Sequence, residues 1–126
     1  MQQQPMPAPD DADPSSLATH SLSITVGHED GHLVLLVRGS ADFESKEHLA
    51  EFLRTAVDQS GSVVLDLREL DFMDSSGLSV LVGAANRART FGERITVRHP
   101  RSIVRQMMQL SGVDQVVMIE MDGTND

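Results

Sequence analysis

Two hydroxyls, a carboxylate and a glycine stand side by side at Asp74-Ser75-Ser76-Gly77. This grouping has three chemical uses. A serine hydroxyl can accept a phosphoryl group, which adds nearly two negative charges and three acceptor oxygens. An Asp or Ser can cap a helix by accepting a hydrogen bond from one of its first backbone N–H groups, and these residue types are the commonest caps. A serine can also be a nucleophile, but that needs a base and a third group to orient it. The G-x-S-x-G elbow is absent, and His20, His28, His32, His48 and His99 are scattered along the chain with none tied to the serines by spacing. Hydrolase chemistry is not expected, and no catalytic constellation can be assembled for another kind of enzyme.

The same inventory disfavours other chemistries. His28 and His32 flank a turn, but nothing supplies further ligands at metal-binding spacing, so no metal site is expected. Neither glycine-rich phosphate loop is present, so no tightly held nucleotide or other cofactor is expected. A formal net charge of −9 opposes nucleic acid and anionic membrane surfaces, because affinity for phosphates comes from Lys and Arg. Four Phe with no Trp or Tyr give little material for base stacking. The absence of cysteine suits a reducing, cytoplasmic setting, and no apolar run approaches the roughly 20 residues of a membrane span. The first residues lack the basic and apolar regions of a secretory signal.

The elements that must position Asp74–Gly77 follow from hydrophobic period. The 126 residues suit one compact core. Residues 1–20, rich in Gln, Pro, Asp and Ser, read as a disordered tail, 21–121 as one domain and 122–126 as a short polar end. Leu22, Ile24 and Val26 alternate as in a half-buried strand, and His32 to Val37 reads as a second strand after the turn Glu29-Asp30-Gly31. Leu49, Phe52, Leu53, Ala56 and Val57 form one face of a helix that begins near Ser45 and stops at Gly61. Ser62 to Leu67 reads as a buried central strand. Leu78, Leu81, Val82 and Ala85 define a second helix ending near Gly92, so Asp74–Gly77 falls where a strand passes into a helix. Such a start favours anions, and Gly77 would allow another molecule's backbone to come close. Ile95 and Val97 mark a strand. A third helix then carries Ile103, Met107 and Leu110 and is capped by Gly112, with a last strand at Val116 to Ile119.

The order ββαβαβαβ predicts an α/β (α+β) domain with a mixed sheet of four to five strands, three to four helices and an antiparallel hairpin at one side. Self-association through the outer strand is compatible with it. Arg87, Arg89, Arg94, Arg98, Arg101 and Arg105 concentrate the positive charge and read as a solvated surface or, alternatively, a docking patch. Met107, Met108 and Leu110 read as packing residues, as do Phe72 and Met73, which can also line a contact rim.

The stretch LDLRELDFMDSSGLSVL, Leu65 to Leu81, resembles the signature region of STAS domains. That family contains bacterial anti-sigma factor antagonists and the cytosolic parts of sulfate transporters. The resemblance extends through LSVLVGAANRA, RSIVRQMMQLSGVDQVV and the opening hairpin with its helix, over about residues 21 to 120. It implies a STAS fold and a partner-switching role. The unmodified protein would bind an anti-sigma factor, a serine kinase with a histidine-kinase-like ATPase fold, and so free a sigma factor. Phosphorylation would end that complex, and a serine phosphatase would restore it. The resemblance implies Ser76 as phosphate acceptor, with Ser75 as the adjacent alternative, and a partner surface of Asp42, Asp74, Ser75, Ser76, Gly77 and Leu78. Where the family often has G-E-L-D before the first helix, this chain has Gly39, Ser40, Ala41 and Asp42. The alternative role is that of an accessory STAS subunit in a lipid-transporting ABC assembly.

Overall fold

A computed structural model describes residues 22–120. The expected tails, 1–20 and 122–126, and the outermost domain residues Ser21 and Met121 lie outside them. The domain opens with strands β1 (Leu22–Glu29) and β2 (His32–Ala41). Their two-residue turn places Asp30 at φ 52° and Gly31 at φ 82°, the doubly positive geometry that matches the twist of a tight hairpin. Helix α1 (Lys46–Ser60) follows, then β3 (Val63–Met73), α2 (Ser75–Arg89), β4 (Ile95–Arg98), α3 (Ser102–Ser111), a 3-10 turn at Val113–Gln115 and β5 (Met118–Glu120).

The five strands form one sheet in sequence order. β1 is antiparallel to β2, and β2, β3, β4 and β5 run parallel. Leu35 and Val37 of β2 and Ile95 and Val97 of β4 are buried with period-two alternation, while β3 is buried on both faces from Val63 to Leu67. Leu49, Leu53, Ala56 and Val57 of α1 and Leu78, Leu81, Ala84, Ala85 and Ala88 of α2 complete a single core with them. α1 ends at Gly61, whose N–H still donates to Val57 O at 2.6 Å and whose positive φ of 76° turns the following chain out of the helix.

The last strand, expected at Val116 to Ile119, shifts to Met118–Glu120, and two larger expectations change. β3 does not stop at Leu67: it continues through Arg68–Met73, pairing Arg38 with Glu69, Gly39 with Leu70, Ser40 with Phe72 and Ala41 with Met73. Register shifts between Leu36 and Arg38 and between Gly39 and Ser40 space the buried residues Leu67, Leu70 and Met73 three apart, which hides the strand period. An Arg38–Glu69 ion pair spans this extension. In α3 the inward stripe is Val104 and Met108, while Ile103 is 53% and Leu110 79% exposed. Residues 103, 107 and 110 and residues 104 and 108 both follow helical spacing. Packing against β3, not period, decides between them; of the expected stripe only Met107 is partly buried against the core.

Candidate functional site

The parallel strands β2 and β3 end side by side, and the chain leaves each toward a helix. The loops at this carboxyl edge, between strand ends and helix starts, are where function-bearing residues are commonly placed. Asp74 follows Met73 directly, and its N–H donates to Ala41 O at 3.1 Å, which ties the exit of β3 to the last residue of β2. Asp74 is extended (φ −105°, ψ −171°), and its Oδ1 accepts from the N–H groups of Ser76 at 2.8 Å and Gly77 at 3.2 Å. Two of the four unpaired donors at the start of α2 are thereby satisfied.

The residues singled out in the sequence take different positions on this frame. Ser75, the first residue of α2, is exposed, whereas Ser76 and Asp74 are half-buried. Ser75 also lines a shallow hollow of about 320 Å³ with Leu78, Ser79, Val82, Ser111 and Val113. Gly77 is buried, and a Cβ there would lie 2.5 Å from Ala41 O and 3.0 Å from the Ala41 Cβ. Its lack of a side chain therefore serves the protein's own packing rather than a partner's approach. Leu78 is 6% exposed and belongs to the core, so it supports the turn from beneath.

Asp42 is close by, at the end of the β2 corner. Its Oδ1 accepts from the N–H groups of Glu44 and Ser45, both at 3.1 Å, and so caps the turn that leads into α1. Ser45 is 6% exposed; its hydroxyl donates to Ser40 O at 2.8 Å and accepts from Asp42 N at 3.0 Å. This closed network holds the segment from Ser40 to Ser45.

Two aromatic rings stand beside these turns. Phe72, paired with Ser40, is 47% exposed, and Phe43 is 67% exposed with the Lys46 ammonium 4.4 Å from its ring centroid. Phe72 is thus exposed, whereas its neighbour Met73 is core. Phe43, Ser45 and Lys46 were not selected by sequence reasoning. The one signal was a lone Phe within the polar run DFESK.

Three arginines of the arginine-rich segment are held in ion pairs, one of them to Asp71, beside Phe72 in the chain. Arg87 holds Asp58 on α1, Arg98 holds Glu29 and Glu120, and Arg101 holds Asp71. Among the described residues, no group of three or more His, Cys, Asp or Glu is arranged to hold a metal ion, and no helix is long and apolar enough to cross a membrane.

These features define a mixed α/β domain that presents a capped serine turn, flanked by exposed aromatic rings, at the carboxyl edge of its parallel strands. The chain belongs to the STAS domain family: the family model described as "Mlab, STAS domain" matches residues 24–120. An anti-sigma F factor antagonist of Paenibacillus polymyxa is 29% identical over 105 residues, covering 79% of this chain and 86% of that protein. Solved structures share the fold. The anti-sigma factor antagonist SpoIIAA in its unphosphorylated form superimposes with a TM-score of 0.66 at 23% identity, covering 77% of this chain and 87% of the other. The phosphorylated form of SpoIIAA, a Bacillus cell fate determinant, gives 0.61 at 22% identity over 77% and 90% of the two chains.

Proposed function

We propose that this protein is an anti-sigma factor antagonist whose partner binding is switched by phosphorylation of the serine turn. The observation that carries the reading is the exposed position of Ser75 on the first turn of α2, at strand corners tied together by the Asp74–Ala41 hydrogen bond and carrying the exposed Phe43 and Phe72. The two serines are ordered here by accessibility. Ser75 is exposed and Ser76 half-buried, so Ser75 is the acceptor and Ser76 the alternative, the reverse of the order that the resemblance alone implies. The partner is an anti-sigma factor with a histidine-kinase-like ATPase fold that doubles as the serine kinase, and a serine phosphatase resets the turn.

The physics suits a switch. Two like charges about 4 Å apart at an effective dielectric of about 20 repel by about 4 kcal/mol, roughly a thousandfold in affinity. A phosphate on Ser75 adds charge next to Asp74, on a surface that the partner must approach closely, so that any acidic group the partner brought there would be repelled on this scale. The start of α2 stabilises that phosphate in the free protein by about 0.3–1 kcal/mol, so the fold survives modification. The chain is in this reading a substrate of phosphoryl transfer and performs no catalysis itself.

The test is capture from the native cytosol on wild-type, Ser75→Asp and Ser76→Asp baits. An ATPase-fold anti-sigma factor held by wild type and lost with Ser75→Asp supports the reading; loss with Ser76→Asp alone moves the acceptor to Ser76. Retention by all three baits refutes the switch. The second reading is an accessory subunit of a lipid-transporting ABC assembly. On its side stands the matched family model, whose description is Mlab and not an anti-sigma name. It requires transporter subunits to be captured equally by every bait.

A further inference from the structure

β1 is an edge strand, paired only with β2 among the described residues, and it lacks the devices that normally protect an edge. Protected edges are short, bulged, interrupted by Pro or studded with Lys. β1 runs eight residues, LSITVGHE, in uninterrupted register with β2 and contains no Lys, Arg or Pro. The opposite edge, β5, has three residues. Residues Thr25 to Glu29 are all exposed, including Val26 at 46%.

Charge narrows the choice of partner. In a chain of net charge −9, β1 is a nearly neutral strip, because its one formal charge, Glu29, is engaged by Arg98 at 3.0 Å. It is a place where two acidic copies can meet without bringing carboxylates together. The direction of pairing follows. Parallel, in-register pairing would stack Glu29 on Glu29, whereas antiparallel pairing sends the two to opposite ends of the ribbon. Beside the strand, a groove of about 490 Å³ opens between the hairpin and α1, lined by Val26, His28, Leu33, His48 and Phe52 among others. A neighbouring strand would extend the floor of that groove and cover the exposed Val26.

We infer that β1 pairs antiparallel with β1 of a second copy, joining two five-stranded sheets into one across a two-fold axis. The surface is separate from the serine turn, which belongs to β2, β3 and α2, so each dimer would present two independent partner sites.

The test is sedimentation velocity of the full chain over a range of concentrations at low and high salt, with Thr25→Lys on β1 and Met118→Lys on β5. A monomer–dimer equilibrium is expected that tightens with salt, because screening reduces the repulsion of two copies at −9. Thr25→Lys should raise the midpoint concentration by at least about tenfold, and Met118→Lys should leave it in place. Amide exchange on the unmodified chain gives an independent reading, with β1 amides slowing as concentration rises. A monomer at all concentrations, a dimer indifferent to Thr25→Lys, or one that weakens with salt would overturn the inference.

Discussion

Gly77 on α2 touches Ala41 at the end of β2 so closely that a Cβ at position 77 would lie 2.5 Å from the Ala41 carbonyl oxygen. The same oxygen accepts the Asp74 N–H at 3.1 Å. Helix α2 can therefore begin against the corner of β2 only because residue 77 is glycine. Gly77→Ala is expected to destabilise the domain by about 1–3 kcal/mol through overpacking, read from the midpoint of urea unfolding. Gly83→Ala is the control. Nothing lies within 4 Å of a Cβ there, and exchanging a helical glycine for alanine should stabilise by roughly 0.5–1 kcal/mol.

Asp74→Ala should cost about 1 kcal/mol, since the Ser76 and Gly77 N–H groups lose their shared acceptor. Asp74→Asn keeps a carbonyl oxygen in the same place and should retain most of that stability. If both variants unfold at the same denaturant concentration, capping is not what Asp74 contributes.

Much of this arrangement was legible beforehand, for local reasons. The i, i+4 spacing of Leu49, Leu53 and Val57 and the Asp30-Gly31 turn each leave a short-range trace in the sequence, and the strand-to-helix position of Asp74 follows from its neighbours. What escaped depends on contacts distant in sequence. The extension of β3 is masked by bulges opposite β2 and by Arg68, Glu69 and Asp71 on its exposed positions. Gly77 looked free to admit a partner because Ala41 lies 36 residues earlier and meets it only once β2 and β3 are paired. The outward turn of Leu110 is likewise set by where α3 meets the sheet.

The Asp58–Arg87 pair joining α1 to α2 gives a pH signature. The Arg87 guanidinium donates to both Asp58 oxygens, at 2.6 and 3.0 Å. This hydrogen bonding, reinforced by the charges of Arg87 and Arg54 and opposed by desolvation, holds the Asp58 carboxyl below its ordinary value of 3.8. A carboxyl lowered on folding contributes stability that is present above its unfolded value and lost as pH falls through the lowered folded value. Carboxyl titration by NMR should place the Asp58 midpoint below 3.8, and Arg87→Ala should move it upward. A midpoint unchanged by Arg87→Ala would mean that the pair does not persist in solution.

Phe43 and Phe72 separate binding from folding most cleanly, because their rings are 67% and 47% exposed and contribute little to the core. Phe, like Tyr and Trp, is enriched in protein interfaces and buries a large apolar area there. On the proposed reading, the anti-sigma partner covers both rings when it engages Ser75. Phe72→Ala and Phe43→Ala should each weaken that complex by at least about tenfold, which corresponds to 1.4 kcal/mol. Stability should change less: Phe43→Ala loses the Lys46 ammonium over its ring, about 0.5–1 kcal/mol, and Phe72→Ala loses no ring contact of that kind among the described residues. The decisive comparison is titration calorimetry with the partner alongside urea unfolding of the same variants. Full affinity in both variants would place the partner on another face and detach the aromatic rim from the serine turn. A loss of affinity matched by an equal loss of stability would show that the rings hold the β2 and β3 corners in shape and do not meet the partner directly.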